Sequence, residues 1–270
     1  MPAMAVSLRS RLASAFLPNR AVPHTTMLLL VGLWLGAALL VWVRSPFPSL
    51  PTPGEVWRAF NDLWWREGLG PELGTTIKLI LHALLLTVIV SLLLSYATVL
   101  AFFRPLVGAA SKLRFLGLTG LIFPFTLLTG GGYALKVALL TFGMSTFFVT
   151  SMARIVVEIP REQFDHMRVL GAGELRIVWE VVVRGTLDRA LDVVRQNLAI
   201  GWAMITMVEG ISRAEGGIGA VILNQNKHFR LAEVYAILLA ILVLGLVMDY
   251  AMSVLGDMLC PHARLQRVDR

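Results

Sequence analysis

The chain has 270 residues, 57% of them hydrophobic and 15% charged, a net charge of +7 and a mean hydropathy of +0.74. A soluble globular domain carries about 25% charged residues, so this composition excludes one and indicates an all-α integral membrane protein. Basic residues gathered on the cytoplasmic side of a membrane account for the positive charge, and with no basic cluster interleaved with aromatics, nucleic acid is not an expected partner.

The elements follow in chain order. Residues 1–26, with Arg9, Arg11 and Arg20, read as a cytoplasmic segment leading into a retained signal-anchor helix, Met27–Val43. Ser45–Gly54 is proline-rich and cannot continue a helix. Glu55–Glu67 is amphipathic, and Trp57, Trp64 and Trp65 suit a helix lying at the membrane interface. Charge-free runs then predict spans at Leu79–Phe103, Phe115–Thr129 and Tyr133–Met152, the last two separated by a tight turn at Gly130–Gly132. Two further spans are expected at Val193–Ile211 and Val234–Leu255. The fold class is therefore about six transmembrane helices. The transmembrane domain runs over 27–255, and 256–270 forms a tail.

Six spans put both termini on one side. With the N-terminus inside, sixteen Lys and Arg residues fall in cytoplasmic segments and eight outside, which favours both termini in the cytoplasm. The same census puts 154–192 in the cytoplasm. Within it, Arg161–Leu187 holds seven charged side chains up to Glu180 and cannot sit in a bilayer core. Pro160 before and Gly171 after mark the limits of a short helix. Glu162 and Asp165 suit its first turns, and Phe164, Met167 and Leu170 are spaced to share a face. Such a face seeks either a partner's groove or the chain's own membrane helices.

Glu209 and Asp249 are ionisable groups inside expected spans, which makes them candidate pathway residues. Glu209 could also be a carboxylate at a helix end, and Asp249 could bond to a neighbouring helix. Asn224 opens a polar run, Asn224–His228, that faces a partner or the mouth of the pathway or else forms a solvated loop, which makes Asn224 a third candidate pathway residue. The five histidines show no ligand spacing and Cys260 is the lone cysteine, so neither a metal site nor an internal disulfide is expected. No phosphate-binding GxxxxGK[ST] loop and no GxSxG elbow occurs. We expect no catalytic residue and no cofactor in this chain. The residues alone leave three readings open: a subunit driven by a partner, an ion-coupled carrier or channel using Glu209 and Asp249, and a non-transporting scaffold.

The pattern Asp165-His166-Met167-x-x-Leu170-Gly171 resembles the E-A-A-x-x-x-G loop of permease subunits in bacterial ATP-binding-cassette importers. Asp replaces Glu, His166 and Met167 replace two alanines, and Arg184 stands where the family motif ends in proline, after Val181 and Val183. Leu50–Trp57, Lys136, Val208–Gly210, Glu215–Gly219, Ile222–Asn224, Phe229–Arg230 and Met248–Asp249 are similar to the nitrate, sulfonate and taurine branch of those type I permeases. The resemblance implies a cytoplasmic coupling helix, with Glu162, Phe164, Asp165, Met167, Leu170 and Gly171 engaging a separate ATPase that carries ATP and magnesium. It also implies a second permease subunit, a periplasmic or lipid-anchored substrate-binding protein, a bacterial inner-membrane location among lipids, and a small solute such as an anion.

Overall fold

A computed structural model describes residues 24–44, 50–212 and 215–260. The expected N-terminal segment up to residue 23 and the tail from residue 261, with their arginines, lie outside the described residues, as does Arg213. Among the described residues every regular element is helical. The α-helices are α1 (His24–Val43), α2 (Pro53–Trp65), α3 (Leu69–Ala97), α4 (Arg104–Lys112), α5 (Leu118–Thr129), α6 (Gly132–Val157), α7 (Arg161–Val169), α8 (Glu174–Ile177), α9 (Leu187–Ile211), α10 (Ile218–Lys227) and α11 (Leu231–Leu259).

Among the described residues four helices are long and apolar enough to cross a membrane: Thr25–Val43 within α1, and α3, α6 and α11. The α4 and α5 segments add a fifth crossing if taken together, but they are bent by 116°. The expected span Phe115–Thr129 is α5 but for its first three residues, and the bend lies at its start. The α5 helix has 12 residues, about 18 Å of rise against a hydrocarbon core of about 30 Å. It stops at Gly130, which takes a left-handed φ of 75° and donates its N–H to Thr126 O at 2.8 Å. The α9 helix is long enough to span, but Arg195, Gln196, Asn197 and Glu209 make it more polar than the others. The span expected at Leu79–Phe103 is also displaced. Its helix starts at Leu69 and ends at Ala97, and Ala101–Phe103 forms a separate 3-10 turn.

The α2 helix opens with a capping box. Thr52 Oγ1 accepts from Glu55 N, and Glu55 Oε2 accepts from Thr52 N at 2.8 Å, with Pro53 in the first turn. The Thr52 hydrogen bonds hold the Glu55 carboxyl below its ordinary value. Val56, Ala59 and Leu63 face inward at helical spacing, while Trp57 and Trp65 stay exposed, as an interfacial helix requires.

The α6 helix is the hub, packed by α3, α4, α5 and α9. Leu139, Leu140, Met144, Phe148 and Met152 are fully buried along it. Gly143 on α6 packs against Met204 of α9, and Gly201 on α9 packs against Met144 and Ile80. Small residues at these crossings let the helix axes approach, the usual device of membrane bundles. A smaller core joins α2, α10 and α11 through Val56, Leu63, Ile218, Ile222, Ala236 and Ile237. Helix α3 runs antiparallel to α9: Thr76 meets Glu209 at one end, and Tyr96 Oη lies 3.4 Å from Thr186 Oγ1 at the other. The α7–α8 segment and the Glu209 region therefore occupy opposite ends of the bundle.

Candidate functional site

Helix α7 begins after Pro160, as the sequence predicts. At its far end Gly171 takes φ +79°. Its N–H donates to Arg168 O at 2.9 Å, and Ala172 N donates to Met167 O at 3.1 Å. These two bonds form a Schellman closure, whose left-handed residue is ordinarily glycine. A Cβ at Gly171 would meet nothing within 4 Å, so the position requires glycine for its backbone rather than for space.

Arg168 joins the two short helices across this turn, bonding Asp165 Oδ1 at 3.0 Å and Glu174 Oε1 at 3.0 Å. Asp165 thus serves the internal geometry of the segment. The expected shared face divides: Phe164 and Met167 are half-buried, while Leu170 is 67% exposed. Glu162 is exposed in the first turn. Val169, Leu175 and Trp179 add exposed apolar area beside Leu170. Sequence reasoning left out Arg168, Glu174, Leu175 and Trp179, although the four-residue step from Leu175 to Trp179 inside a charged stretch was a readable signal. Beyond α8 the chain continues as a π-helix, Val178–Arg184. Arg184, at the position where the resemblance leads one to expect proline, ends that turn and pairs with Glu180 at 3.0 Å.

The hydrogen bonds from Arg168 hold the Glu174 carboxyl below its ordinary value of 4.5. A lowered folded-state pKa means the link is fully present above pH 4.5 and is lost as pH falls through the lowered value. Amide exchange at Gly171 and Ala172, corrected for intrinsic rates, should therefore speed up on acidification below pH 4.5. Exchange that stays flat to pH 3 would mean that the Arg168 link does not hold the turn.

At the opposite end four elements converge on two carboxylates. Glu209 is 1% exposed. Its Oε1 accepts from Thr76 Oγ1 at 2.6 Å and its Oε2 from Gly219 N at 2.7 Å. Thr76 Oγ1 in turn accepts from Ile218 N at 3.0 Å, and Glu72 accepts from Gly217 N. Lys136 of α6, 2% exposed, donates Nζ to Gly216 O at 2.8 Å. The N-terminus of α10 is thus capped by side chains of α3 and α9, where carboxylates suit both its free N–H groups and its dipole. The glycines there leave room for those side chains: a Cβ at Gly217 would lie 2.4 Å from a Glu209 oxygen.

The three candidate pathway residues are not brought together. Both Glu209 oxygens are engaged in the α10 cap. Asp249 forms a two-pronged pair with Arg195, each bond 2.5 Å, tying α11 to α9. Asn224 is exposed on α10. None of the three lines either of two apolar cavities found among the described residues, about 590 Å³ beside His82, Tyr133 and Ser145 and about 690 Å³ beside Trp57, Trp64 and Val243. Among the described residues no group of acids, histidines and cysteines is placed to hold a metal.

Residues 99–261, more than half of the chain, match the family described as binding-protein-dependent transport system inner membrane component. Over 94 residues the chain is 31% identical to a probable ABC transporter permease protein of Brucella melitensis biotype 1, covering 35% of this chain and 38% of that relative. Two probable ABC transporter permease proteins of Brucella abortus are 31% identical over the same length, which is 37% of each. The match spans well under half the length of these relatives. Among solved structures, an inward-facing MetNI methionine ABC transporter superposes with a TM-score of 0.51 at 18% identity, covering 78% of this chain and 99% of that one. At that identity the likeness is one of fold.

Proposed function

We propose, since the chain belongs to the family of binding-protein-dependent transport system inner membrane components, that it is the permease subunit of an ATP-driven importer. In this reading it lines the pathway for a small solute together with a second permease subunit. Its energy comes from cytoplasmic ATPase subunits that carry ATP and magnesium, and its solute from a separate binding protein. Both termini and the α7–α8 segment lie in the cytoplasm, and the Glu209 end faces outward. The similarity of Val208–Gly210 and Glu215–Gly219 to the nitrate, sulfonate and taurine branch supports a small anion as the solute.

One observation carries the reading. Between two long core helices the chain presents a short helix closed by Gly171, locked by Arg168 and flanked by exposed Val169, Leu170, Leu175 and Trp179. An apolar patch with a charged rim on a rigid element fits a groove in a soluble partner. Phe164 and Met167 would seat the helix, Glu162 and Asp165 would hold its first turns, and Gly171 would fix its end. The carrier reading loses support because Glu209 and Asp249 are already bonded within the chain.

The test is purification in mild detergent from the native host. We expect a near-stoichiometric ATPase to accompany the wild-type chain and to be lost from the doubly substituted Phe164→Asp, Met167→Asp chain. A clean homo-oligomer without an ATPase would overturn the reading.

A further inference from the structure

Two helices of this chain end in the same backbone motif, filled by different residues. At the end of α7 the left-handed position is Gly171. At the end of α10, Phe229 N donates to Asn226 O and Arg230 N to Gln225 O, each at 3.1 Å, which again forms a Schellman closure. Here the left-handed residue is Phe229, at φ +55°, and every other described residue with a positive φ is a glycine. A bulky residue in this region is an outlier that glycine would relieve. Its ring gains nothing inside the chain to offset that cost, because Phe229 is 87% exposed.

The surroundings of the ring are polar. Asn224, Asn226, Lys227, His228 and Arg230 are all exposed. The tip is held in place from beneath: Glu67, just past the end of α2, accepts from Gln225 Nε2 at 2.8 Å and pairs with Arg230 at 3.3 Å. A single aromatic ring on a fixed tip, rimmed by polar and cationic groups, is the anatomy of an interface anchor. Strain kept at an exposed position points to a use outside the fold. The run of polar residues before the ring suits water rather than the acyl region of a bilayer.

We propose that Phe229 is an aromatic anchor for the soluble binding protein, entering an apolar pocket of that partner whose rim is acidic. This rests on the importer reading, which puts the Glu209 end, and α10 with it, outside the cell membrane. Lys227 supplies the positive side of the contact beside the Arg230–Glu67 pair, and Glu67 keeps the tip from yielding when the partner docks.

The test uses the complete transporter in lipid nanodiscs, with its ATPase rate titrated by the purified binding protein of the same system. For Phe229→Gly we expect the half-saturating concentration to rise about tenfold or more, with the maximal rate kept and thermal unfolding unchanged or shifted upward. Phe229→Leu should recover part of the loss. An unchanged half-saturating concentration in Phe229→Gly overturns the proposal while leaving the importer reading intact. A wild-type transporter that the binding protein never stimulates overturns both. A second readout places a fluorophore beside the intact ring, at Asn226→Cys in a Cys260→Ser chain. Quenching by iodide that the binding protein relieves supports the contact, whereas quenching by lipid-borne spin labels alone overturns it in favour of a membrane anchor.

Discussion

Replacing Gly171 with valine should leave the membrane bundle folded and ATP hydrolysis active, while solute uptake per ATP falls at least tenfold. The position has φ +79° and open space around it. The cost of a side chain is therefore purely conformational, about 1–2 kcal/mol for an ordinary residue and more for a β-branched one. The α7–α8 segment can escape that cost by unwinding its last turn, because its described contacts are mainly local. Unwinding breaks the Ala172–Met167 bond and moves Leu170 and Val169, the residues we propose to bear on the ATPase. A change of about 1.4 kcal/mol between the seated and displaced geometries is a factor of ten in their populations. Asparagine, which tolerates left-handed backbone better, should restore most of the uptake. Uptake and hydrolysis measured together in proteoliposomes decide the matter: an unchanged ratio in Gly171→Val would sink the coupling role.

The limits of α7 were legible because they are written in local chemistry, a proline before and a glycine after. The same held for α2, where Thr52-Pro53-Gly54-Glu55 spells out the capping box found in the structure. Charge-free runs served less well. They leave the segment before Phe115 unassigned, so the α4 helix and its 116° bend to α5 were invisible. They also put the start of α3 ten residues late, because the charge-free run begins only after Lys78. Glu72 is in fact tolerated in the first turn of the helix, where it accepts the Gly217 N–H. The π-helix at Val178–Arg184 has only seven residues, too few for its periodicity to be told from 3.6. Nor could the partners of Glu209 and Asp249 be read locally. Thr76 and Glu209 lie 133 positions apart, and Arg195 and Asp249 lie 54 apart. Sequence reasoning found the ionisable groups within expected spans, but whether each was free or paired depended on tertiary packing.

Replacing Glu209 with alanine should lower the thermal unfolding midpoint in nanodiscs by on the order of 5 °C or more. Two donors, the Thr76 hydroxyl and the Gly219 N–H, would lose a buried charged acceptor. Each such loss costs about 1–3 kcal/mol, and the buried Lys136 would lose a nearby negative charge. Glutamine keeps an acceptor and should restore part of the stability. The sharper test pairs this change with Gly217→Ala. On its own the new Cβ would lie 2.4 Å from both the carboxyl carbon and an oxygen of Glu209, so the methyl group and the carboxylate compete for one space. Gly217 also has φ +106°, which strains any side chain, but that strain is present with or without Glu209 and cancels in the comparison. The double variant should therefore be more stable than the sum of the two single losses, with a coupling of about 1 kcal/mol or more. Strict additivity would mean that the glycine loop does not close on this carboxylate, and that the cap on α10 is held by Thr76, Glu72 and Lys136 without it.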